Sequence, residues 1–167
     1  MLAQLVAEES LRPVNGTAFA VTPTLREAYS EGDDDELADV ALREAALASL
    51  RLLGDPGATG ATDAAIGELP PRRVVLEADF DDADAEIKLR PDLDDAVVRL
   101  TAEIPLRRVV AAYVDNAAAE SAVLAAVEVI DAADLGDEDA ELTVGDAQDH
   151  DLAWYAPQEL PFLLELL

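Results

Sequence analysis

Apolar residues recur along this chain in two rhythms, one of three to four positions and one of two, and the succession of these rhythms predicts a mixture of helices and strands. Leu2, Leu5 and Val6 stand at helical spacing, so residues 1–9 read as a short amphipathic helix, closed before Pro13 and the Asn15-Gly16 turn. Residues 17–21 form a short β-type run. Thr22-Pro23 then opens a helix in the preferred manner, Thr22 as N-cap and Pro23 at the first helical position, where its missing N–H costs nothing. That helix ends near Gly32. The acids Asp33, Asp34, Asp35 and Glu36 follow, placed where the positive end of a new helix dipole stabilises them. Within that helix, residues 37–53, a buried face is predicted from Leu42, Ala45, Ala46, Ser49, Leu50 and Leu53, and Gly54 stops it.

Residues 54–71 are rich in Gly, Pro, Ala, Thr and Asp and read as a flexible surface loop within a single domain spanning 1–167. Three β segments come next. In the middle one, Val98, Leu100, Ala102 and Ile104 alternate with Val97, Arg99, Thr101 and Glu103, the period of a strand with one wet face. Residues 73–79 and 108–115 are more continuously apolar, as in strands covered on both faces, and the Pro105-Leu106 link predicts an antiparallel hairpin between the second and third segments. Asn116 is the predicted cap of a helix reaching about residue 132, with Gly136 just past its end. A last strand is expected at residues 141–144, then a C-terminal helical region from about Asp151 that Pro157 should break or kink. The expected architecture is α+β: a two-layer sandwich whose mixed or largely antiparallel sheet has about four or five strands packed by helices.

One internal echo stands out. Arg72-Arg73-Val74-Val75 leading to Asp81-Asp82 resembles Arg107-Arg108-Val109-Val110 leading to Asp115-Asn116. Either a strand unit is duplicated, or both are basic-flanked strands followed by acidic turns, which Asp and Asn favour through their own local hydrogen bonds.

Charge narrows the partners. With 37 acidic and 11 basic side chains the formal charge is −26, which raises solubility and opposes compactness at low salt. The basic groups are scattered arginines and the single Lys88, so nothing like the cationic stripe that displaces counterions from a phosphate backbone is present, and neither nucleic acid nor a membrane surface is expected as a partner. An Ala-, Asp- and Arg-rich, Lys-poor composition is also what a high-GC or salt-adapted proteome gives to ordinary proteins. The chain has no cysteine, which excludes disulfides, thiolate metal sites and thiol nucleophiles. Its longest apolar runs fall well short of the roughly 18 residues of a membrane span. Glu8 and Glu9 stand where the apolar region of a secretory signal should continue, so a cytoplasmic location is expected.

Few constellations carry chemistry. His150, the only histidine, lies between Asp149 and Asp151, but neighbours on a helix point about 100 degrees apart, so this string is no preassembled base, and either aspartate serves better as an N-cap. Ser10, Ser30, Ser49 and Ser121 lie in no nucleophile elbow, and the glycines of residues 54–60 lack the Lys and Ser/Thr of a phosphate loop. Two carboxylate clusters could in principle hold a hard cation: Asp79, Asp81, Asp82, Asp84 and Glu86, and Asp134, Asp137, Glu138, Asp139 and Glu141. Neither has the calcium-loop pattern. Trp154, Tyr155 and Phe162 concentrate aromatic surface near the C-terminus, where they pack a terminal helix or, if exposed, mark a partner site.

The strings Ala18-Phe-Ala-Val-Thr-Pro-Thr-Leu-Arg-Glu-Ala-Tyr29, Ala48-Ser-Leu-Arg-Leu-Leu53, Arg72-Arg-Val-Val-Leu-Glu-Ala-Asp79, Gly136-Asp-Glu-Asp139 and Asp149-His-Asp-Leu-Ala-Trp-Tyr-Ala-Pro-Gln-Glu-Leu160 resemble those of an uncharacterised family of actinobacterial proteins. The resemblance runs over nearly the whole chain. It implies a high-GC bacterial cytoplasm and lends no catalytic residue. Members of that family usually begin with a short strand before the first helix, whereas Met1 here opens directly into helix, so the resemblance implies either a missing sheet edge or a start that lies upstream.

Two functions follow as expectations. The first is a non-enzymatic interaction or regulatory protein, binding a protein partner or itself as a homodimer through Trp154, Tyr155 and Phe162 with an acidic rim, and needing no cofactor. The alternative is a metal-dependent hydrolase or small-ligand-binding enzyme using His150 with Asp137, Glu138 and Asp139.

Overall fold

A computed structural model of the chain describes residues 1–29, 31–55, 70–80 and 87–167. Ser30, most of the expected loop at 54–71, and Asp81, Asp82, Asp84 and Glu86 of the first acidic cluster lie outside the described residues.

The local signals at the N-terminal end act as expected. Helix α1 (Leu2–Glu8) turns Leu2 and Leu5 inward, and Glu9 closes it in a left-handed conformation. Strands β1 (Ser10–Leu11) and β2 (Thr17–Phe19) flank a tight turn in which Asn15 and Gly16 both have positive φ. Helix α2 (Pro23–Ala28) is capped by Thr22, whose hydroxyl accepts the Leu25 N–H at 3.1 Å and donates to the Asp95 carbonyl. Helix α3 (Asp34–Gly54) starts with a reciprocal capping box between Asp33 and Glu36. Of the face predicted for it Ala46 and Leu50 are buried, whereas Leu42, Ala45, Ser49 and Leu53 are only half-buried, and Leu37 and Ala41 are buried in their stead.

The β segments are β3 (Val74–Ala78), β4 (Ile87–Leu89), β5 (Val97–Leu100), β6 (Ile104–Pro105) and β7 (Val109–Asp115). Helices α4 (Glu120–Asp134) and α5 (Glu138–Gln148), strand β8 (Leu152–Tyr155) and helix α6 (Leu160–Leu166) complete the chain. Among the described residues the α+β architecture has all its strands antiparallel, divided among three short sheets ordered β1-β6, β2-β5-β4 and β3-β7-β8.

Four sequence expectations are corrected. The alternation over 97–104 is not one strand: it ends at Leu100, bends through Thr101 to Glu103, and resumes as β6, where Ile104 pairs with Leu11 in a second sheet. The segments at 97–104 and 108–115 accordingly form no hairpin. Residue 105 is a proline with no N–H to give a ladder, and β5 and β7 end in different sheets. Residues 141–144 are helical, because Asp137 accepts the Ala140 N–H at 3.0 Å and Ala140, Val144 and Ala147 form one buried stripe against α4. Residues 152–155 form a strand where a helix was expected. Asp149 therefore caps the end of α5, and Pro157 opens the short turn into α6.

Three apolar clusters hold these elements together. The first joins the inner face of β3-β7-β8 to α1 and α6 through Ala112, Val114, Leu5, Leu160 and Leu163. In the second, Leu50 of α3 meets Val123, Ala126 and Ile130 of α4 and Val144 of α5. The third seats Leu25 and Leu37 on Ala96.

Candidate functional site

Strand β8 is the edge of its sheet. It pairs with β7 from Asp115↔Leu152 to Ala112↔Tyr155, and among the described residues its other side has no partner. The Asp115 N–H donates to the Arg73 carbonyl, which turns the backbone groups of Asp115 and Tyr113 towards β3. Antiparallel alternation then places the N–H and C=O groups of Leu152 and Trp154 on the open edge. The four residues of β8 carry no charge, no proline and no bulge, the usual devices that blunt an exposed edge.

Strand periodicity separates the aromatic pair. Tyr155 turns inward and packs against the cluster containing Leu160 and Leu163. Trp154 points to the opposite face, remains 58% exposed, and lies across the ladder from Tyr113. The Tyr113 hydroxyl donates to Glu77 at 2.8 Å, and its pKa is pushed up to about 12, first by partial burial and then by the Glu77 carboxylate and the charge of Asp39. Phe162 lies on the outer face of α6, exposed together with Leu166, while Leu160 and Leu163 fill the inner face. Because α6 packs on the sheet face that Tyr155 occupies, Phe162 and Trp154 sit on different sides of the sheet. Of the three expected contact residues, Trp154 alone has an exposed side chain on the open edge strand.

A buried ion pair fixes the start of that edge. Arg73 and Asp115 are each 1% exposed, and the Asp115 carboxylate accepts three hydrogen bonds from Arg73: its backbone N–H at 2.7 Å, Nε at 2.9 Å and Nη2 at 2.7 Å. Arg73 Nη2 also donates to the His150 carbonyl at 2.8 Å, tying the chain just before β8 to the end of β7. Beside it, Arg72 holds Glu120 at 2.6 Å. The single histidine thus enters the network through its backbone oxygen. Only the repeated Arg-Arg-Val-Val string could have signalled this pair in the sequence. Since β3 and β7 run antiparallel, the basic start of each meets the end of the other: Arg73 meets Asp115, and the Arg108 carbonyl accepts the Asp79 N–H at 2.9 Å while its guanidinium lies over Phe80.

The residues named for an ion site are placed apart. Asp137 is the N-cap of α5 and Glu138 and Asp139 lie in its first turn, whereas His150 follows its far end. At 1.5 Å per residue this 11-residue helix separates them by about 16 Å. Asp134 is engaged by Arg51. Among the described residues no three His, Asp or Glu side chains are grouped so as to hold a metal ion.

Among the described residues no helix is long and apolar enough to cross a membrane. No curated protein and no solved structure matches the chain. The model of one protein family matches residues 1–164, nearly the entire sequence, and the chain therefore belongs to that family, the family of unknown function DUF6912.

Proposed function

We propose that this protein is a non-enzymatic interaction module that receives an extended, basic segment of a partner protein as an added strand along β8. The observation that carries the reading is the open, uncharged edge Leu152–Tyr155, with the backbone groups of two residues directed outward and a half-exposed Trp154 beside them. Added strands gain affinity from main-chain hydrogen bonds and specificity from alternate side chains, and Trp154 supplies a surface for one such side chain. The acids Asp151 and Glu159 flank the strand, and the chain carries a formal charge of −26. Like charge opposes a second copy as occupant and favours a cationic one. The Lys-poor, Ala-, Asp- and Arg-rich composition supports a high-GC bacterial cytoplasm as the setting.

The test is calorimetric titration with extended peptides that alternate apolar residues with Lys or Arg, compared with acidic and proline-interrupted versions. Amide hydrogen exchange of the complex locates the contact. The expected result is protection of the Leu152 and Trp154 amides, binding that weakens with salt, and loss of affinity in Trp154→Ala with the fold retained. Unprotected amides would overturn the reading. Light scattering that shows a dimer abolished by Trp154→Ala would replace the cationic partner with a second copy.

A further inference from the structure

Packing leaves one residue of α5 unexplained. Gly145 sits inside the helix, where glycine is the poorest choice after proline. A Cβ at this position would meet nothing within 4 Å, so neither the approach of α4 nor any backbone strain requires glycine. Gly16 shows the contrast, for a Cβ there would lie 2.4 Å from the Leu100 carbonyl oxygen. The space beside Gly145 is an open groove of about 420 Å³ between α3, α4 and α5.

The floor of the groove is apolar, made by Leu47 of α3, Ile130 and Ala133 of α4 and Val144 of α5. Arg51 lies in its wall, but Asp134 accepts from Arg51 Nε at 2.9 Å and Nη2 at 2.7 Å. This pair holds the aspartate below the usual carboxylate range and leaves that wall without net charge. Unpaired charge remains at two lining positions, Glu141 and Asp149, whose side chains have no partner among the described residues. They stand eight residues apart along one stripe of α5, about 12 Å at the helical rise. The C-terminal end of α5 adds to the attraction for a cation. Its last turn has no basic residue, and Asp146 and Asp149 face the negative pole of the dipole, an arrangement that repels anions and is relieved by positive charge.

We infer that this groove binds a linear aliphatic diamine or polyamine, with its methylene chain on the apolar floor and its ammonium groups at Glu141 and Asp149. Gly145 keeps the floor open between the two charged ends. This inference is independent of the β8 reading.

The experiment is calorimetric titration of the whole chain with α,ω-diaminoalkanes of graded length, spermidine, and a monoamine control, at physiological salt to suppress general attraction to the acidic surface. Affinity should pass through a maximum at one chain length, and the monoamine should bind weakly. Glu141→Gln and Asp149→Asn should each weaken the best diamine by about threefold, as expected for a single exposed ion pair, while Glu27→Gln on α2 leaves it unchanged. Gly145→Leu should weaken it by about tenfold or more by filling the groove. Amide shift mapping on the unsubstituted protein supplies a readout that needs no variant to fold, and the shifts should concentrate at residues 141–149. Affinity without a length optimum, equal weakening by Glu27→Gln, unchanged binding in Gly145→Leu, or shifts spread over the acidic surface would each overturn the inference.

Discussion

Replacing Asp115 by Asn keeps the shape of the side chain and removes its charge, which tests what the buried Arg73–Asp115 pair contributes. In the native protein one carboxylate accepts three hydrogen bonds from Arg73, and both side chains are almost wholly buried. The amide has one acceptor oxygen and directs an NH₂ group at donors, so Asp115→Asn leaves a guanidinium uncompensated in the interior. Loss of one partner from such a pair costs about 3–5 kcal/mol. For a chain of this size that corresponds to a fall of about 6–20 °C in the thermal midpoint. Substituting both partners with apolar residues, Arg73→Met with Asp115→Leu, removes the stranded charge. It still orphans the backbone N–H of position 73, worth about 1–3 kcal/mol when buried and unsatisfied, whereas the His150 carbonyl is only part-buried and within reach of water. Urea denaturation of the native, single and double variants measures the difference. The single variant should be the less stable of the two. Because Arg73 also holds the His150 carbonyl, hydrogen exchange at β8 should rise in both. A single substitution that costs no more than the double would refute the argument that the uncompensated cation dominates.

Other consequences can be checked with the same methods. Asp33→Ala removes the capping box of α3 and should lower stability by about 1–2 kcal/mol in urea melts. Gly16→Ala drives a Cβ into the Leu100 carbonyl at positive φ and should cost about 1–3 kcal/mol, whereas Gly145→Ala meets only open space and should stabilise by about 0.5–1 kcal/mol, so the two urea midpoints should move in opposite directions. Tyr113 has a folded-state pKa raised above its ordinary value of 10.0, so the stability it contributes is complete below pH 10 and is lost as pH rises towards about 12. Spectrophotometric titration should show one tyrosine ionising late, and Tyr113→Phe should remove that component and flatten the alkaline loss of stability.

The sequence by itself determined the elements whose causes are local. Thr22-Pro23, Asp33 with Glu36, and Gly54 set the ends of α2 and α3 because a cap is a hydrogen bond between residues three apart, and nothing distant is needed to form it. The α+β character followed from the two hydrophobic periods. Tertiary structure decided the rest. Residues 141–144, which alternate polar and apolar side chains, and 152–155, a short apolar run, fit either helix or strand. The first became helix because Val144 had α4 to pack on, while the second became strand because β7 offered an edge. The division of labour between Trp154 and Tyr155 followed from that choice, since adjacent residues of a strand point to opposite faces. The Arg73–Asp115 pair and the groove beside Gly145 were likewise set by contacts between residues distant in the chain. Ion pairing and concavity depend on which surfaces meet, and periodicity along one segment carries no record of its partner.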